Sequence, residues 1–191
     1  MALCGITALP NGLDTLLSNH AQSVFLDGLQ SAEDLRLRFS GHTGVLGLSG
    51  LTWVTDLQAA DLSEHSGATY LNGLIHLTAS QANSLSQITG RVELDSLSTL
   101  GPELAEPLCR HRGGLSLNGV AVLSDDVADI LTSHVGRLEL DGVSDLTIRQ
   151  AISLSRHNGE ISLVGLHPHQ ENGVWDVLRR SPTIELSLAT A

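Results

Sequence analysis

Lysine is absent from this sequence of 191 residues, and all ten of its basic residues are arginines. Any chemistry that needs a lysine amine is therefore excluded. The 21 acidic residues leave a formal net charge of −11. This charge disfavours binding to nucleic acids, whose phosphates require a basic surface, and to anionic membrane surfaces.

Aromatic residues and cysteines are also scarce. Aromatics make up 3% of a chain that is 41% hydrophobic, so we expect a core of Leu, Val, Ile and Ala in many small layers. The two cysteines, Cys4 and Cys109, do not indicate a disulfide framework. The length is sufficient for one domain with a sizeable core.

Two further absences concern location. No stretch approaches the ~20 apolar residues that a membrane-spanning helix needs. The first ten residues, MALCGITALP, lack the basic start and long apolar run of a secretory signal. We therefore expect a cytoplasmic setting with no membrane partner, although an excised part of an exported protein would show the same features.

The chain does contain an internal repeat of 23 residues. Residues 113–134, GGLSLNGVAVLSDDVADILTSH, match residues 91–111 and 137–157. One small residue recurs every 23 residues, with a single interval of 22, and we call it the anchor of its repeat. The anchors are Gly5, Gly28, Gly50, Gly73, Ser96, Gly119, Gly142 and Gly165. Leu stands two residues before every anchor, which predicts a single repeat solenoid over residues 1–191, with about seven full repeats and a final strand.

Each repeat indicates a strand, a turn and a helix. Alternation such as Val92-Glu-Leu94 predicts a strand of three to five residues with one buried face. Dipeptides such as Asn118-Gly119 predict a turn in which glycine tolerates positive φ. A Ser or Thr then begins a helix, and a Gly six residues before the next anchor ends it. The predicted caps are Thr55, Thr78, Ser124 and Thr147, and the predicted stops are Gly44, Gly67, Gly90, Gly113, Gly136 and Gly159.

Stacking of these units predicts a curved molecule. Parallel strands stack at roughly 4.8 Å, whereas helices need about 10 Å. The sequence therefore predicts a right-handed α/β solenoid with parallel strands on the concave side and helices on the convex side.

Repeats of this length and Leu pattern resemble leucine-rich repeats, over nearly the whole chain. The resemblance implies a horseshoe and macromolecular recognition, and it implies no enzyme. One departure is clear: Leu97 or Val120 stands where that family has a buried Asn, and Asp or Asn directly follows the second strand Leu. The chain is thus similar to a bacterial-looking variant without the family's Asn ladder.

Both ends depart from the pattern, as terminal repeats often do when they cap a solenoid. The irregular helices are the first, from Asp14 to Asn19, the second, with Arg36, Arg38 and Phe39, and the last, from His167 to Arg180 with Pro168 and Gly173. The chain nevertheless starts within a strand at Ala2-Leu3 and ends within one at Ile184-Glu-Leu186. Open strand edges pair with other chains, so we expect a fragment of a longer array or an end-to-end homo-oligomer.

Histidine recurs at one repeat position. The members are His20, His42, His65, His111, His134 and His157, and Ile88 fills the position once. We expect these histidines in the last helical turn, where they cap carbonyl groups at the negative end of the helix dipole. The alternative is a metal-binding or pH-sensing ladder.

Two other groups contain metal-ligand residue types. The position before the anchor reads Asp27, Ser49, Asn72, Asp95, Asn118 and Asp141. Turn propensity explains this row, with Ca²⁺ binding as the alternative. His167-Pro-His169 with Glu171 nearby is a weak metal signal. We expect no metal and no cofactor.

The outward positions of the strands supply the candidate site. One end of the predicted concave face is apolar, with Phe25, Val45 and Tyr70, and exposed aromatics are typical binding anchors. The other end is charged, and it contains Arg91, Glu93, Arg137 and Glu139. The alternative is that the irregular first repeats or a cap cover the aromatic residues.

No catalytic motif is present, and the repeat distributes acids, bases and hydroxyls evenly along the stack. Cys109 precedes Arg110 and His111, but the i and i+2 positions of a helix do not face each other. We therefore expect a protein that is not an enzyme. The sequence predicts a recognition or scaffold module that binds a protein partner through its concave sheet. The alternative is a structural segment of a longer repeat array with no ligand of its own.

Overall fold

The computed structural model describes residues 20–30, 38–39, 41–170 and 173–186. Within these residues eight short strands form one parallel sheet, in which each strand pairs with the next in sequence order. The strands are β1 Val24–Phe25, β2 Leu46–Gly47, β3 Thr69–Tyr70, β4 Val92–Glu93, β5 Leu115–Ser116, β6 Leu138–Glu139, β7 Ile161–Ser162 and β8 Ile184–Glu185. The predicted parallel sheet is confirmed, with strands of two residues rather than three to five.

A helix connects most successive strands. The helices are α1 Asp56–Leu62, α2 Ala79–Leu85, α3 Pro102–Leu108, α4 Asp125–Leu131, α5 Ile148–Leu154 and α6 Val174–Leu178. Each packs against the helix of the neighbouring repeat. The last helix is shorter than the predicted span from His167 to Arg180, because it begins only after Gly173, which has a φ of 93°.

The predicted N-caps are confirmed. The side chains of Thr55, Thr78, Ser124 and Thr147 each accept a hydrogen bond from the third helical N–H. In the three threonine-capped helices the cap N–H in turn donates to the side-chain oxygen of a glutamine, which completes a capping box. One of them, Gln150, also donates to the carbonyl of Leu123 in the preceding repeat at 2.8 Å. The start of a helix thus also joins two repeats.

The recurrent glycines are required for a reason other than the predicted ones, which were a positive φ in the turn and the end of the helix. Among the described residues only Gly173 has a positive φ, so neither the turn at Gly119 nor the glycine before each strand uses left-handed backbone. The helices end at right-handed residues such as Ser63, four residues before Gly67. A Cβ at Gly67 would instead overlap the carbonyl oxygen of Gly44, and one at Gly119 would overlap that of Asp95. These glycines are therefore required because the backbones of successive repeats touch there.

The core lies between the sheet and the helices. Leu26 and its equivalents as far as Leu163 are buried, and so are Ala59 and Leu62 of α1 and their equivalents in α2 to α5. Phe39 is also fully buried, and it is the bulkiest side chain of the described core. Full burial of one such leucine contributes about 2 kcal/mol, so stability is distributed among many equivalent layers. The expectations for Ala2-Leu3, Cys4, the first helix and Arg36 lie outside the described residues.

Candidate recognition surface

The concave face presents two rows of side chains from successive strands. The inner row reads Phe25, Gly47, Tyr70, Glu93, Ser116, Glu139, Ser162 and Glu185. The outer row, two residues earlier, reads Ser23, Val45, Ala68, Arg91, Gly114, Arg137, Glu160 and Thr183. Because the strands are in register, row neighbours lie on adjacent strands about 4.8 Å apart. All seven predicted contact residues lie in these two rows.

The part of the concave face at β1–β3 is apolar. Phe25, Val45 and Tyr70 are partly exposed there, and we call them the aromatic end. A Cβ at Gly47 would overlap Cδ1 of Phe25, so this ring lies over β2 in the space that the glycine leaves. The Tyr70 hydroxyl makes no hydrogen bond to another described residue. The aromatic end therefore combines apolar surface with a phenolic hydroxyl.

The part of the concave face at β4–β8 is an ion-pair network of two arginines and four glutamates. Arg91 donates two hydrogen bonds of 2.6 Å to Glu139 and one of 2.9 Å to Glu93. Arg137 donates to Glu139 at 2.9 Å. It also donates to Glu160 and Glu185, both at 2.8 Å. The four charged residues predicted as contacts are thus brought together, and they bind one another.

The network has an uneven charge distribution. The Arg91 guanidinium, followed by that of Arg137, lowers the pKa of Glu139 from 4.5 to about 2. The hydrogen bonds to Glu139 raise the pKa of both arginines above its ordinary value. The Glu139 side chain is 13% exposed, whereas Glu160 and Glu185 are 69% and 57% exposed. The outer end of the network is therefore acidic and open to solvent.

The row before each anchor forms a hydrogen-bond ladder between repeats. The side-chain oxygen of Asp27 accepts from the N–H of Ser49 at 2.9 Å, and Asp95 accepts from Asn118 N–H at 3.0 Å. Asn118 continues the ladder to Asp141 N–H at 2.8 Å. The family's own Asn ladder is therefore replaced by a row one residue after the strand Leu. These oxygens accept from backbone N–H groups of the next repeat, so the row links successive repeats, a role that turn propensity alone does not predict.

The repeated histidines form a buried column. His42, His65, His111, His134 and His157 are at most 3% exposed. The rings stack, with centroids 5.1 Å apart for His42 and His65, 6.2 Å for His111 and His134, and 5.9 Å for His134 and His157. We call these five residues the histidine column.

The predicted capping role of these histidines is wrong in detail. His42 Nε2 donates to the carbonyl of Gln22 at 2.7 Å, and His157 Nε2 donates to that of Gly136 at 3.1 Å. These carbonyls belong to the preceding repeat, outside its helix. The rings therefore fill the core and link successive repeats, rather than capping their own helices.

The metal and nucleophile alternatives gain no support from the geometry. Residues 20–30, 38–39, 41–170 and 173–186 contain no group of three His, Cys, Asp or Glu residues that could hold a metal ion. His167 instead contacts Asp145, with Nδ1 to Oδ2 at 3.3 Å, and Glu171 lies outside the described residues. Burial raises the pKa of the Cys109 thiol to about 11, which disfavours the reactive thiolate.

Sequence reasoning missed several residues of this surface. Ser116 and Ser162 donate to Asp95 and Asp141 at 2.6 and 2.5 Å, and Glu160 and Glu185 complete the network. A signal for them exists in the inner row, where Glu alternates with Ser from residue 93 to residue 185. Small residues on every second strand leave space for an arginine to reach across.

No protein-family model matches the chain, and no curated protein matches it. Among solved structures, the chain is similar to one in the Toll–Spätzle complex, a molecular hub in Drosophila development and innate immunity, with a TM-score of 0.59 and 15% identity. The match covers 87% of this chain and 23% of that chain, so this chain spans less than a quarter of that length. Toll is a leucine-rich-repeat protein, and the similarity concerns the fold alone. It confirms a leucine-rich-repeat-like α/β solenoid.

No helix in the described part of the chain is both long and apolar enough to cross a membrane. The longest helices have seven residues.

Proposed function

We propose that the chain is a non-catalytic recognition module that binds a protein partner through its concave sheet, with the aromatic end as the primary contact. The observation that carries this proposal is the partial exposure of Phe25, Val45 and Tyr70 side by side on adjacent strands. Aromatic rings that are already partly packed on a sheet bury further apolar area at little entropic cost, which is typical of binding hot spots. The solved Toll–Spätzle complex is compatible with protein binding by such a fold.

The charge of the concave face indicates which side chains a fitting partner would present. The two rows and the adjoining polar ladder contain seven carboxylates and two guanidinium groups. The carboxylates are Asp27, Glu93, Asp95, Glu139, Asp141, Glu160 and Glu185. Both arginines already bind glutamates, whereas Glu160 and Glu185 remain exposed. The partner that fits this surface has an apolar or aromatic group for the aromatic end, and Lys or Arg side chains for β7 and β8.

Photo-crosslinking in cells of the source organism tests the proposal. A photoreactive phenylalanine analogue replaces Tyr70 on the concave face, Ile152 on the convex face, or Trp53. Trp53 is the matched aromatic control, because it is 39% exposed and lies outside the two concave rows. We expect a discrete protein adduct from position 70 that Phe25→Ala weakens, and none from position 152. Adducts formed only from positions 53 or 152 would overturn the proposal.

A second function, a structural segment of a longer array, rests on the sheet edge. Within the described residues β8 pairs with β7 alone. At the equivalent position of β6 and β7, the N–H of Leu138 and that of Ile161 each donate to a backbone carbonyl of the next repeat. By equivalence with these residues, we infer that the N–H of Ile184 points away from β7, where no described residue accepts it and another strand can pair.

Sedimentation over a range of concentrations separates the two functions. Association that Ile184→Pro abolishes would favour the array, because proline removes the outward N–H at an edge position. A monomer at all concentrations would favour the recognition module.

A further inference from the structure

The histidine column has an unusual environment for five imidazoles. Nitrogen atoms of His42, His65, His111, His134 and His157 are buried without a hydrogen-bond partner, and both ring nitrogens of His65 and His134 are in this state. A neutral imidazole tolerates one such nitrogen, but an imidazolium has two N–H donors that both require acceptors. The column therefore favours uncharged rings.

Among the described residues, the groups that face these rings offer no compensating negative charge. His65 faces His42, and His134 faces both His111 and His157. The remaining neighbours are backbone carbonyls, such as those of Ser86 and Gly114 around His111, and the edge of the Phe39 ring beside His42. No ion pair in the described ranges joins one of the five rings to a carboxylate. A proton added to one ring therefore meets other histidines rather than an acid.

We propose that the histidine column is an acid-responsive device: protonation of one stacked ring repels its neighbours and opens the contact between successive repeats. The glycines beside the rings support this role. A Cβ at Gly113 would lie 2.8 Å from His111 Nε2, and one at Gly159 would lie 2.8 Å from His157 Nε2. These two rings thus pack where the backbones of two repeats touch, so a charged ring there cannot move away without separating the repeats.

The direction of the pH dependence follows from linkage. Burial, followed by repulsion from neighbouring histidines, lowers the pKa of His134 from 6.5 to about 4. Burial also lowers the pKa of His65 and of His111. The unfolded chain therefore binds more protons than the folded chain between about pH 6.5 and 4, so stability is complete above this window and is lost as the pH falls through it.

Ile88 divides the column into two stacks and provides a natural control. It is 1% exposed at the same repeat position, so the fold accepts an apolar side chain of this size there. The stacks are His42 with His65, and His111 with His134 and His157. Replacement of a histidine by isoleucine thus copies a residue that the chain already uses.

The experiment is urea unfolding of the full chain from pH 7.5 to pH 5, for the wild type, His134→Ile, Ile88→His and the exposed-site control His76→Gln. We expect the wild-type midpoint to fall as the pH is lowered. His134→Ile should take up about one proton fewer on unfolding at pH 5.5, as obtained from the slope of stability against pH, and His76→Gln should match the wild type. Ile88→His joins the two stacks and should raise the pH at which half the protein unfolds.

A second measurement needs no variant. In NMR titration of the wild type, the ring protons of His65, His111 and His134 should keep their chemical shifts until the chain unfolds. A wild-type midpoint that is constant from pH 7.5 to 5, an unchanged slope in His134→Ile, or normal titration of the buried rings in the folded protein would each overturn the proposal. Failure of partner binding would not, because this test uses the chain alone.

Discussion

The guanidinium of Arg91 binds the carboxylate of Glu139 across an intervening strand, through two hydrogen bonds of 2.6 Å. Arg91 precedes β4 and Glu139 lies on β6, so the arginine side chain crosses β5. Gly114 and Ser116 of that repeat leave the space, and a Cβ at Gly114 would lie 3.5 Å from Arg91 Cγ. The pair therefore links three repeats on the concave face, and Ser116 below it is fully buried.

This relationship predicts measurable coupling between Arg91 and Glu139. A double-mutant cycle with Arg91→Met and Glu139→Gln should give a coupling free energy of unfolding of about 1 kcal/mol, because the pair is bidentate and partly buried. The same cycle on Arg149 and Asp125, whose side chains are 63% and 40% exposed, is the control. That exposed pair should give less than about 0.5 kcal/mol. Equal coupling in both cycles would contradict the bridging role of Arg91.

Glu139 should make the free energy of unfolding depend on pH in a more acidic range than the histidines do. Its pKa falls from 4.5 to about 2 on folding. Its contribution is therefore complete above about pH 4.5 and is lost as the pH falls toward 2. The stability difference between the wild type and Glu139→Gln, measured by urea unfolding, should shrink over this range. Glu64→Gln on the exposed surface is the control, and a constant difference for Glu139→Gln would count against the network.

The glycine at the start of each strand should not tolerate a methyl group. A Cβ at Gly136 would overlap the carbonyl oxygen of Gly113, and backbone cannot yield easily. We expect Gly136→Ala to reduce the free energy of unfolding by about 3 kcal/mol. Gly114→Ala is the matched control, because its nearest neighbour would be at 3.5 Å and the substitution should be nearly neutral. Denaturant unfolding of both variants checks this, and equal effects would mean that repeat contact is not the reason for glycine.

Removal of an acceptor oxygen from the hydrogen-bond ladder should destabilise the fold much more than removal of the negative charge alone. Asp95 accepts from Asn118 N–H at 3.0 Å and from the Ser116 hydroxyl at 2.6 Å. Asp95→Ala leaves both donors without that acceptor and should cost about 1–3 kcal/mol. Asp95→Asn keeps an acceptor, as Asn118 does naturally, and should cost much less. If thermal or urea unfolding shows equal losses for the two variants, charge rather than hydrogen bonding maintains the ladder.

The architecture could be predicted because one residue type marks one environment in every repeat. Leu94 and its equivalents are buried on the same face, and Thr147 and its three equivalents cap four of the six described helices. Such positions depend on neighbours within a single repeat, so the local sequence contains the necessary information.

Contacts between repeats were harder to predict from the sequence. The reason for glycine at Gly136 is the position of the Gly113 carbonyl, which becomes visible only when the repeats are stacked. The bond from Arg91 to Glu139 spans 48 residues and skips a strand, so no pattern within one repeat shows it. Histidine stacking likewise depends on how far apart the repeats lie at that point.

The most direct test of the proposed recognition is selection of peptides from a random display library on the purified chain. Hydrogen–deuterium exchange then maps the selected peptides. We predict sequences with an aromatic or large apolar residue together with Lys or Arg, protection of the segments around β1–β3, and loss of binding in Tyr70→Ala but not in Ile152→Ala. Peptides that protect the helices, or that bind Tyr70→Ala as well as the wild type, would contradict recognition through the aromatic end.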